Sequence, residues 1–503
     1  MSLGQRSVWA VKWGAATTLL KYGLQFAVQV VLARLLGPDL VGLFAMALVV
    51  LMLVNFLADF GFGWAVLQKP DLNDRDVRFA FTWQVLTGAA AAAALFAAAG
   101  PISAFFAEPR LEALIRWLSP ACLISALAQP ANYLMRRSLD LRTAGLIQLA
   151  SYAAGYLLLG LPMALLGGGV WALVAAWLVQ AAVACALTIA KQKHPRRPLF
   201  WYRGALGMLD VSVTVFVTNL CNWFLNNLDR MLLGRMSAAH AVGYYSTAYN
   251  LANMPNLVLL GVLQPIFLAA GARVQHDRAA LARAYLQVLA AAWVLIAPFY
   301  VLLAVCAQPL VLLLYGASWA STGALLGLLA LAMPAFLTLA MSTSVLWNAG
   351  RKHWEVLLQL PILAALAAAL IGFAGRDAEL TAMVVVAAIF LRAWWMCWAA
   401  LRTLGLRAAA WVGDFGRALA LSATVAASAF AARVAVGAAG PDWLALLLAA
   451  GAGAAVPLAI AALRPSWFGK AATAAAIRFA PRWRGHVERS AGGAAILEGN
   501  PSA

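Results

Sequence analysis

Charged residues are scarce in this sequence, and apolar residues dominate it. Asp, Glu, Lys and Arg make up 11% of the 503 residues, whereas 64% are hydrophobic. Soluble globular domains carry about 25% charged residues, so a chain folded around one soluble core is excluded. Runs of about 20 apolar residues, the length that crosses the hydrocarbon core of a bilayer, recur along the whole chain. These runs predict an integral membrane protein with many spans.

Cysteine and histidine are also few. The five cysteines all fall inside apolar stretches, and no two of them have the spacing of metal ligands. Cysteines in such segments ordinarily behave as small apolar residues. The five histidines are scattered singly in loops and in the C-terminal tail. The sequence therefore predicts no metal site and no cofactor.

Fourteen stretches of the chain are long and apolar enough to cross the membrane. Because lipid offers the backbone no hydrogen-bond partners, each stretch is expected to be a helix, which gives an all-α integral membrane fold. The predicted spans, numbered in chain order, lie near residues 11–33, 40–62, 79–101, 113–135, 144–166, 169–190, 205–228, 242–268, 285–307, 322–346, 354–374, 380–401, 416–437 and 442–463.

Lysine and arginine are distributed unevenly between the two sides of the membrane. With a cytoplasmic N-terminus, 27 of the 36 basic residues fall on the cytoplasmic side and six fall on the opposite side. This bias follows the positive-inside rule. It also explains the net charge of +18 without any nucleic acid. We therefore predict a multi-pass protein of the bacterial inner membrane with both termini in the cytoplasm.

Two stretches of the chain match at a constant offset of 201 residues. Arg34 and Gly42 reappear as Arg235 and Gly243, and the match needs no gap. It pairs spans 1 and 2 with spans 7 and 8, so both copies have the same orientation, as in parallel transporter repeats. The predicted organisation is an N-lobe (1–190, spans 1–6), a basic cytoplasmic linker (191–204), a C-lobe (205–402, spans 7–12), two further spans (403–463) and a basic cytoplasmic tail (464–503).

The repeat-related spans carry the most concentrated polarity within the membrane. Lys21 lies near the middle of span 1, where a charge costs about 2.5–3.5 kcal/mol on insertion scales. Its spacing from Gln25 and Gln29 places the three residues on one helix face, and span 7 repeats this pattern. Such side chains line a water-filled cavity or join helices through hydrogen bonds, and both interpretations stay open. The candidate cavity residues are Lys21, Gln25, Gln29, Asn55, Asp59, Asn219, Asn222, Asn226, Asp229, Arg230, Asn253, Asn256 and Arg392.

This candidate cavity carries positive charge, because Asp59 and Asp229 offset only part of its basic residues. Arginine binds phosphate through two parallel hydrogen bonds, and lysine binds it as a point charge. Asparagine and glutamine both donate and accept hydrogen bonds, which suits hydroxyl-rich sugars. A pyrophosphate-linked oligosaccharide fits both features. Arg392 has a second interpretation, as a charge near the inner surface that only sets the topology.

Four segments of the chain carry a family resemblance. They are LARLLGPDLVGLFAMA at 32–47, LDRMLLGRMSAAHAVGYYSTAYNLANMP at 228–255, QPIFLAAGARVQHDRAALARAY at 264–285 and QPLVLLLYGASWASTGALLGLLAL at 308–331. In this order and spacing they resemble the Wzx-like polysaccharide flippases. That family belongs to the MOP superfamily, together with the MATE exporters and the MurJ lipid II flippases. The similarity extends to about residue 400 and so covers most of the chain.

The resemblance implies two six-helix lobes around a central cavity. It implies export of undecaprenyl-pyrophosphate-linked sugar units from the inner to the outer leaflet, for exopolysaccharide or O-antigen biosynthesis. Basic cavity residues would handle the pyrophosphate, a role that falls here on Lys21 and Arg230. In some related fourteen-span flippases the last two spans help to form a groove for the lipid tail, and the resemblance extends this expectation to spans 13 and 14. The implied partners are the lipid-linked oligosaccharide and the polysaccharide polymerase and export machinery.

Three other functions stay open at the level of sequence. Another MOP exporter, such as a multidrug exporter, would favour acidic cavity groups, whereas Lys21 shares its lobe with Asp59. An integral-membrane polysaccharide-assembly enzyme would need catalytic groups, and the only Asp-x-Asp pair, Asp74 and Asp76, falls in a short loop. The third is a non-transporting scaffold of an export complex. The residues favour a transporter over an enzyme.

Overall fold

The computed structural model describes most of the chain, and its regular structure is helical. It describes residues 3–59, 66–67, 69, 71–138, 140–195, 197–203, 205–273, 277–351, 353–374, 376–407, 409–436 and 441–463. Within these ranges no β-strand occurs, in agreement with the all-α prediction. The predicted basic tail at 464–503 lies outside the described residues.

The helices overlap the predicted spans, but several ends differ by seven or eight residues, as at Met236 against 228 and Arg278 against 285. They are α1 (Leu3–Asp59), α2 (Asp74–Ala97), α3 (Ala99–Phe106), α4 (Arg110–Leu118), α5 (Pro120–Arg137), α6 (Leu141–Tyr152), α7 (Leu161–Leu165), α8 (Val170–Lys191), α9 (Ala205–Met236), α10 (Ala239–Arg273), α11 (Arg278–Val305), α12 (Ala307–Tyr315), α13 (Ala320–Asn348), α14 (His353–Ala369), α15 (Ala378–Leu404), α16 (Ala409–Val436) and α17 (Asp442–Leu463). Wider, π-type turns follow α6 at Ala153–Gly160 and α14 at Leu370–Ala374.

Helix α1 contains two of the predicted spans, and its backbone breaks between them. Gly37 has φ 74° and ψ 172°, a positive-φ conformation that glycine adopts without steric cost. Pro38 follows it and has no backbone N–H to continue the helix. Among the described residues, eleven helical segments are long and apolar enough to cross a membrane, with Leu20–Asp59 counted once. The total of fourteen spans stays a prediction.

Polar side chains cap several helices at their first turn. The Asn73 side chain accepts hydrogen bonds from the backbone of the first turn of α2, while the Asp76 carboxylate accepts one from the backbone of Asn73. The Asp140 carboxylate accepts from the backbone N–H of Thr143 at 3.1 Å at the start of α6. These bonds satisfy N–H groups that a helix start otherwise leaves open. The loops before α2 and α6 thereby fix where each helix begins.

The chain forms two compact units. Of the described residues, the first unit contains those within Met1–Ser246 and Leu370–Ala378, and the second contains those within Thr247–Ala369 and Glu379–Ala503. The candidate residues of spans 1, 2 and 7 belong to the first unit, and those of spans 8 and 12 belong to the second. The predicted boundaries of the N-lobe and the C-lobe stay predictions.

In the first unit, the described residues 197–202 of the basic linker are docked on helix α2. The Arg78 guanidinium donates through Nε to the carbonyl oxygen of Arg197 at 2.9 Å. The Tyr202 hydroxyl donates to the carboxylate of Asp76. Burial raises the pKa of this hydroxyl, and its hydrogen bond to the carboxylate raises the pKa further. The linker is therefore held against the helices through its own backbone and side chains.

In the second unit, the two C-terminal helices pack on α11 and α12. The Trp293 ring on α11 meets the Phe415 ring on α16 edge to face, with centroids 4.9 Å apart. Cys306, Ala429 and Ala449 form a buried cluster further along these helices. Spans 13 and 14 therefore pack against this unit on one side, and most of their surface faces outward. Their contact with a lipid tail stays a prediction.

Candidate functional site

Lys21 is held by neutral partners within the first unit. Its Nζ donates to Gln148 Oε1 on α6 at 3.0 Å and lies 4.7 Å from the centroid of the Tyr22 ring. No ion pair of the described residues includes Lys21. Gln25 and Gln29 follow on α1 and are partly buried. An amide oxygen and an aromatic face thus accommodate the lysine charge without neutralising it.

Asn55 and Asp59 line a polar pocket of about 300 Å³ inside the first unit. Asp59 Oδ1 accepts a hydrogen bond from Gln84 Nε2 at 2.9 Å. Asp59 Oδ2 accepts one from the Tyr133 hydroxyl at 3.3 Å. The carboxylate and the Lys21 ammonium therefore have different partners, on different helices.

The polar stripe on α9 is partly satisfied within its own helix. Asn226 Nδ2 donates to the carbonyl oxygen of Asn222, one turn earlier, at 2.7 Å. Asparagine side chains commonly bond nearby backbone in this way. Asn219 and Asn222 are partly buried on the same helix. This bond of Asn226 lies within one helix. The interpretation that these polar residues join neighbouring helices through hydrogen bonds therefore does not explain it.

Asp229 and Arg230 are adjacent in the sequence but differ in environment. Asp229 is 2% exposed, and its Oδ2 accepts from the Tyr245 hydroxyl at 2.5 Å. Its Oδ1 accepts from the backbone N–H of Arg230 at 2.8 Å. Arg230 is only partly buried, and its Nη1 lies 3.4 Å from Asn227 Oδ1. Asp229 is therefore a buried acceptor between α9 and α10, whereas Arg230 is partly buried, with its Nε enclosed by the protein.

Three candidate residues belong to the second unit. Asn256 is 3% exposed, and its Nδ2 lies 3.4 Å from Asn253 Oδ1. Arg392 is 5% exposed, and its Nη2 donates to Gln359 Oε1 at 2.8 Å. A charge that only sets the topology would lie at the membrane surface, so the burial of Arg392 favours an internal role.

Several partners of these residues come from positions that the sequence analysis did not single out. Gln148 bonds Lys21, Gln84 bonds Asp59, and Tyr245 bonds Asp229. A glutamine within an apolar span was an available signal for the first two. The sequence held no signal that pointed to Tyr245, because tyrosine is common in membrane helices near the interfaces. The predicted residues that the structure brings together are Asn55 with Asp59, Asn222 with Asn226, Asp229 with Arg230, and Asn253 with Asn256.

The sequence of this chain is similar to those of known polysaccharide biosynthesis proteins. A family model described as polysaccharide biosynthesis protein matches residues 31–323. The chain is 26% identical over 321 residues to the succinoglycan biosynthesis transport protein ExoT of Rhizobium meliloti (strain 1021), covering 64% of this chain and 65% of the relative. It is 25% identical over 327 residues to the lipopolysaccharide biosynthesis protein WzxC of Escherichia coli (strain K12), covering 64% and 65%. The matched part is slightly less than two thirds of these relatives.

Two solved structures share the fold of the chain. The lipid II flippase MurJ, in an inward closed conformation, matches with a TM-score of 0.71 at 11% identity, over 89% of this chain and 98% of that one. An inward-facing multidrug resistance MATE family transporter of the MOP superfamily matches with a TM-score of 0.61 at 14% identity, over 76% and 94%. At such low identity the likeness concerns the fold alone. It confirms the all-helical transporter fold that the sequence predicts.

Proposed function

The chain belongs to the polysaccharide biosynthesis protein family, and on this premise we propose that it is a flippase for a lipid-linked oligosaccharide. Its cargo is an undecaprenyl-pyrophosphate-linked sugar unit. The protein moves this unit from the inner to the outer leaflet for exopolysaccharide or O-antigen biosynthesis. One relative is named a succinoglycan biosynthesis transport protein and another a lipopolysaccharide biosynthesis protein, and both names support this proposal.

The observation that carries the proposal is the environment of Lys21. A lysine within a membrane span is costly and ordinarily marks a ligand or ion path. Here the ammonium donates to the neutral Gln148 Oε1 at 3.0 Å and has no carboxylate in salt-bridge distance among the described residues. A charge that is solvated but not neutralised attracts an anionic group. The pyrophosphate of the cargo supplies that group.

Arg230 is the second basic residue that we assign to the pyrophosphate. Its neighbour Asp229 is engaged by the Tyr245 hydroxyl at 2.5 Å, which spreads the carboxylate charge over a second partner. The planar arginine fork suits phosphate oxygens, because it donates two parallel hydrogen bonds. The stripe residues Gln25, Gln29, Asn219, Asn222 and Asn226 are assigned to the hydroxyl groups of the sugar. Asn253, Asn256 and Arg392, in the second unit, remain predicted cargo contacts.

The proposed orientation places both termini in the cytoplasm, where the basic residues are concentrated. The cargo then enters from the cytoplasmic leaflet and leaves toward the other side without chemical change, so the protein acts as a transporter and not as an enzyme. The polymerase and export machinery that consume the delivered units are the expected protein partners.

Reconstitution tests the proposal. The purified protein is placed in liposomes with a lipid-linked oligosaccharide from its own host, and an enzyme added outside reports how much cargo becomes accessible. Protein-free liposomes provide the background. We expect the protein to raise the accessible fraction well above that background, with the cargo unchanged in mass.

Three results would contradict the proposal in different ways. Cargo that is altered in mass would indicate a polysaccharide-assembly enzyme. Cargo that binds but never becomes accessible, under any imposed ion gradient, would indicate a scaffold. Transport of a cationic dye in place of the cargo would indicate a multidrug exporter, which has the same fold.

A further inference from the structure

An apolar pocket of the first unit, separate from the one that contains Asp59, lies where α1, α3 and α9 meet. Its volume is about 310 Å³. The described residues that line it are all hydrophobic, and they include Leu53 on α1, Ile102 and Phe105 on α3, and Met231 on α9. Such a lining suits a hydrocarbon chain, whereas the hydroxyl groups of a sugar would lose their hydrogen bonds in it.

Arg235 lies at one edge of this pocket. The residue is exposed, and its guanidinium lies 5.6 Å from the centroid of the Phe105 ring. Met231 precedes Arg235 by about one turn of α9, so the hydrophobic lining begins one turn before the arginine. A positive charge beside an apolar cavity matches a ligand that carries an anionic group next to a hydrocarbon chain.

The charge of Arg235 is not neutralised by a carboxylate, because no ion pair of the described residues includes it. Two neighbouring arginines at this end of the helices do have such partners. Arg110 pairs with Asp39 at 2.7 Å, and Arg116 pairs with Glu112 at 2.6 Å. The Arg235 guanidinium therefore keeps its charge available for an anion at the edge of the pocket.

In the proposed topology the pocket belongs to the half of the membrane that is opposite the cytoplasm. The water-exposed ion pair between Arg110 and Asp39 marks the membrane edge on that side. Leu53 lies about 21 Å beyond Asp39 along α1, at 1.5 Å per residue. One leaflet with its headgroups has about this depth. The pocket therefore extends from the headgroup level, where Arg235 lies, toward the middle of the bilayer.

We propose that this pocket binds an anionic phospholipid, whose phosphate contacts Arg235 and one of whose acyl chains fills the apolar cavity. The planar guanidinium donates two parallel hydrogen bonds to phosphate oxygens. The amine of a zwitterionic headgroup would be repelled by Arg235, so a lipid with net negative charge binds more tightly.

A phospholipid is a better occupant of this pocket than the cargo lipid. Phe105 is 43% exposed, so the pocket is accessible from outside the protein. Phospholipid greatly outnumbers any cargo lipid in a membrane, and an abundant ligand occupies an accessible site by mass action.

The inference goes beyond the proposed function, because Arg235 is not one of the candidate cavity residues. Arg235 belongs to the repeat motif with Gly243, and the cargo assignment makes no use of its charge. Phospholipid binding is measured without any lipid-linked sugar. Failure of this inference therefore leaves the flippase proposal standing, and failure of that proposal leaves this inference standing. Only the assignment to the outer leaflet depends on the proposed topology.

Photo-crosslinking of the purified full-length protein in lipid nanodiscs tests the inference. The probe is phosphatidylglycerol with a photoreactive diazirine in one acyl chain, and mass spectrometry of the digested protein locates the adducts. We expect adducts on the peptides that contain Ile102 and Met231. Arg235→Gln should reduce them at least about tenfold, because it removes the charge-assisted hydrogen bonds to the phosphate. Phosphatidylcholine with the same chain should label these peptides several times more weakly.

Two further variants separate the charge from the cavity. Arg116→Gln is the matched control, because it removes an arginine of the same membrane side that already has a carboxylate partner. It should be labelled as the wild type is. Ile102→Trp fills the pocket and leaves Arg235 in place, so it should lose the adducts on the peptide that contains Met231. Thermal melting shows whether each variant is folded, and Arg235→Gln decides the matter if Ile102→Trp is not.

Absence of adducts on these peptides of the wild type would overturn the inference. Equal labelling by the two phospholipids, or undiminished labelling of a folded Arg235→Gln variant, would overturn it as well. Undecaprenyl phosphate that removes the adducts at a concentration equal to or below that of phosphatidylglycerol would assign the pocket to the carrier lipid and overturn the phospholipid assignment.

Discussion

Gly42 and Gly243 lie backbone to backbone in the first unit. A methyl group on Gly42 would lie 1.8 Å from the carbonyl oxygen of Ala239, and one on Gly243 would lie 2.0 Å from that of Pro38. The pairs 38 and 239, and 42 and 243, share the offset of 201 residues that defines the repeat. The contact is therefore reciprocal between the two matched segments. Small residues allow helix backbones to approach this closely in membranes.

Replacement of either glycine by alanine should disrupt this crossing. Gly42→Ala forces a methyl group into the carbonyl oxygen of Ala239, and such overpacking costs about 1–3 kcal/mol of the free energy of unfolding. Gly23→Ala is the control, because among the described residues no atom beyond its own helix backbone lies within 4 Å of the position its methyl group would occupy. Thermal melting of the purified variants should show a lower midpoint for Gly42→Ala alone. Equal midpoints for both variants would contradict the crossing.

The repeat was readable in the sequence because it rests on residue identities at a fixed offset. The break at Gly37 and Pro38 was also readable, as the gap between two apolar runs. The side-chain partners of the candidate residues could not be predicted from the sequence. Lipid tails are as apolar as a protein interior, so the apolar residues of a span do not reveal which of its faces is buried. The pairing of Lys21 with Gln148 across 127 positions needed the three-dimensional arrangement.

Removal of the Tyr245 hydroxyl should destabilise the first unit. Tyr245→Phe leaves Asp229 Oδ2 without its 2.5 Å donor, and a buried acceptor left in this way costs about 1–3 kcal/mol. The double variant Asp229→Asn with Tyr245→Phe completes a cycle that isolates the interaction. Melting midpoints of all four proteins provide the measurement. Strictly additive effects of the two substitutions on the melting midpoint would show that the hydrogen bond between Tyr245 and Asp229 contributes nothing to stability.

Arg392 should matter far more for stability than an exposed arginine of the same helix. It donates to Gln359 Oε1 at 2.8 Å, and Gln359 in turn donates to Glu355 Oε1 at 3.3 Å. Breaking a buried charged network by removing one member costs about 3–5 kcal/mol. Among the described residues, the control Arg402→Ala loses a ring contact with Trp398, in which the guanidinium lies 4.5 Å from the ring centroid. We expect Arg392→Ala to melt well below Arg402→Ala, and equal midpoints would refute the network.

The docked linker can be tested by limited proteolysis. Arg78→Ala removes the hydrogen bonds to the carbonyl oxygens of Arg197, at 2.9 Å, and Pro198, at 3.2 Å. Released backbone is cleaved more readily than backbone held by hydrogen bonds. Trypsin should therefore cut the linker of Arg78→Ala several times faster than that of the control Arg75→Ala, which changes an exposed arginine of the same helix. Identical cleavage rates would mean that these bonds do not hold the linker.

The most direct test of the proposed cargo site is the initial rate of translocation of the lipid-linked oligosaccharide by Lys21 variants in liposomes. Hydrogen bonds to charged groups contribute about 1.5–3 kcal/mol, so Lys21→Ala should slow translocation at least about tenfold. Lys21→Arg should retain part of the rate, and Lys193→Ala, which removes a lysine of the linker, should retain all of it. Translocation by Lys21→Ala at the wild-type rate, with equal amounts of reconstituted protein, would contradict the account.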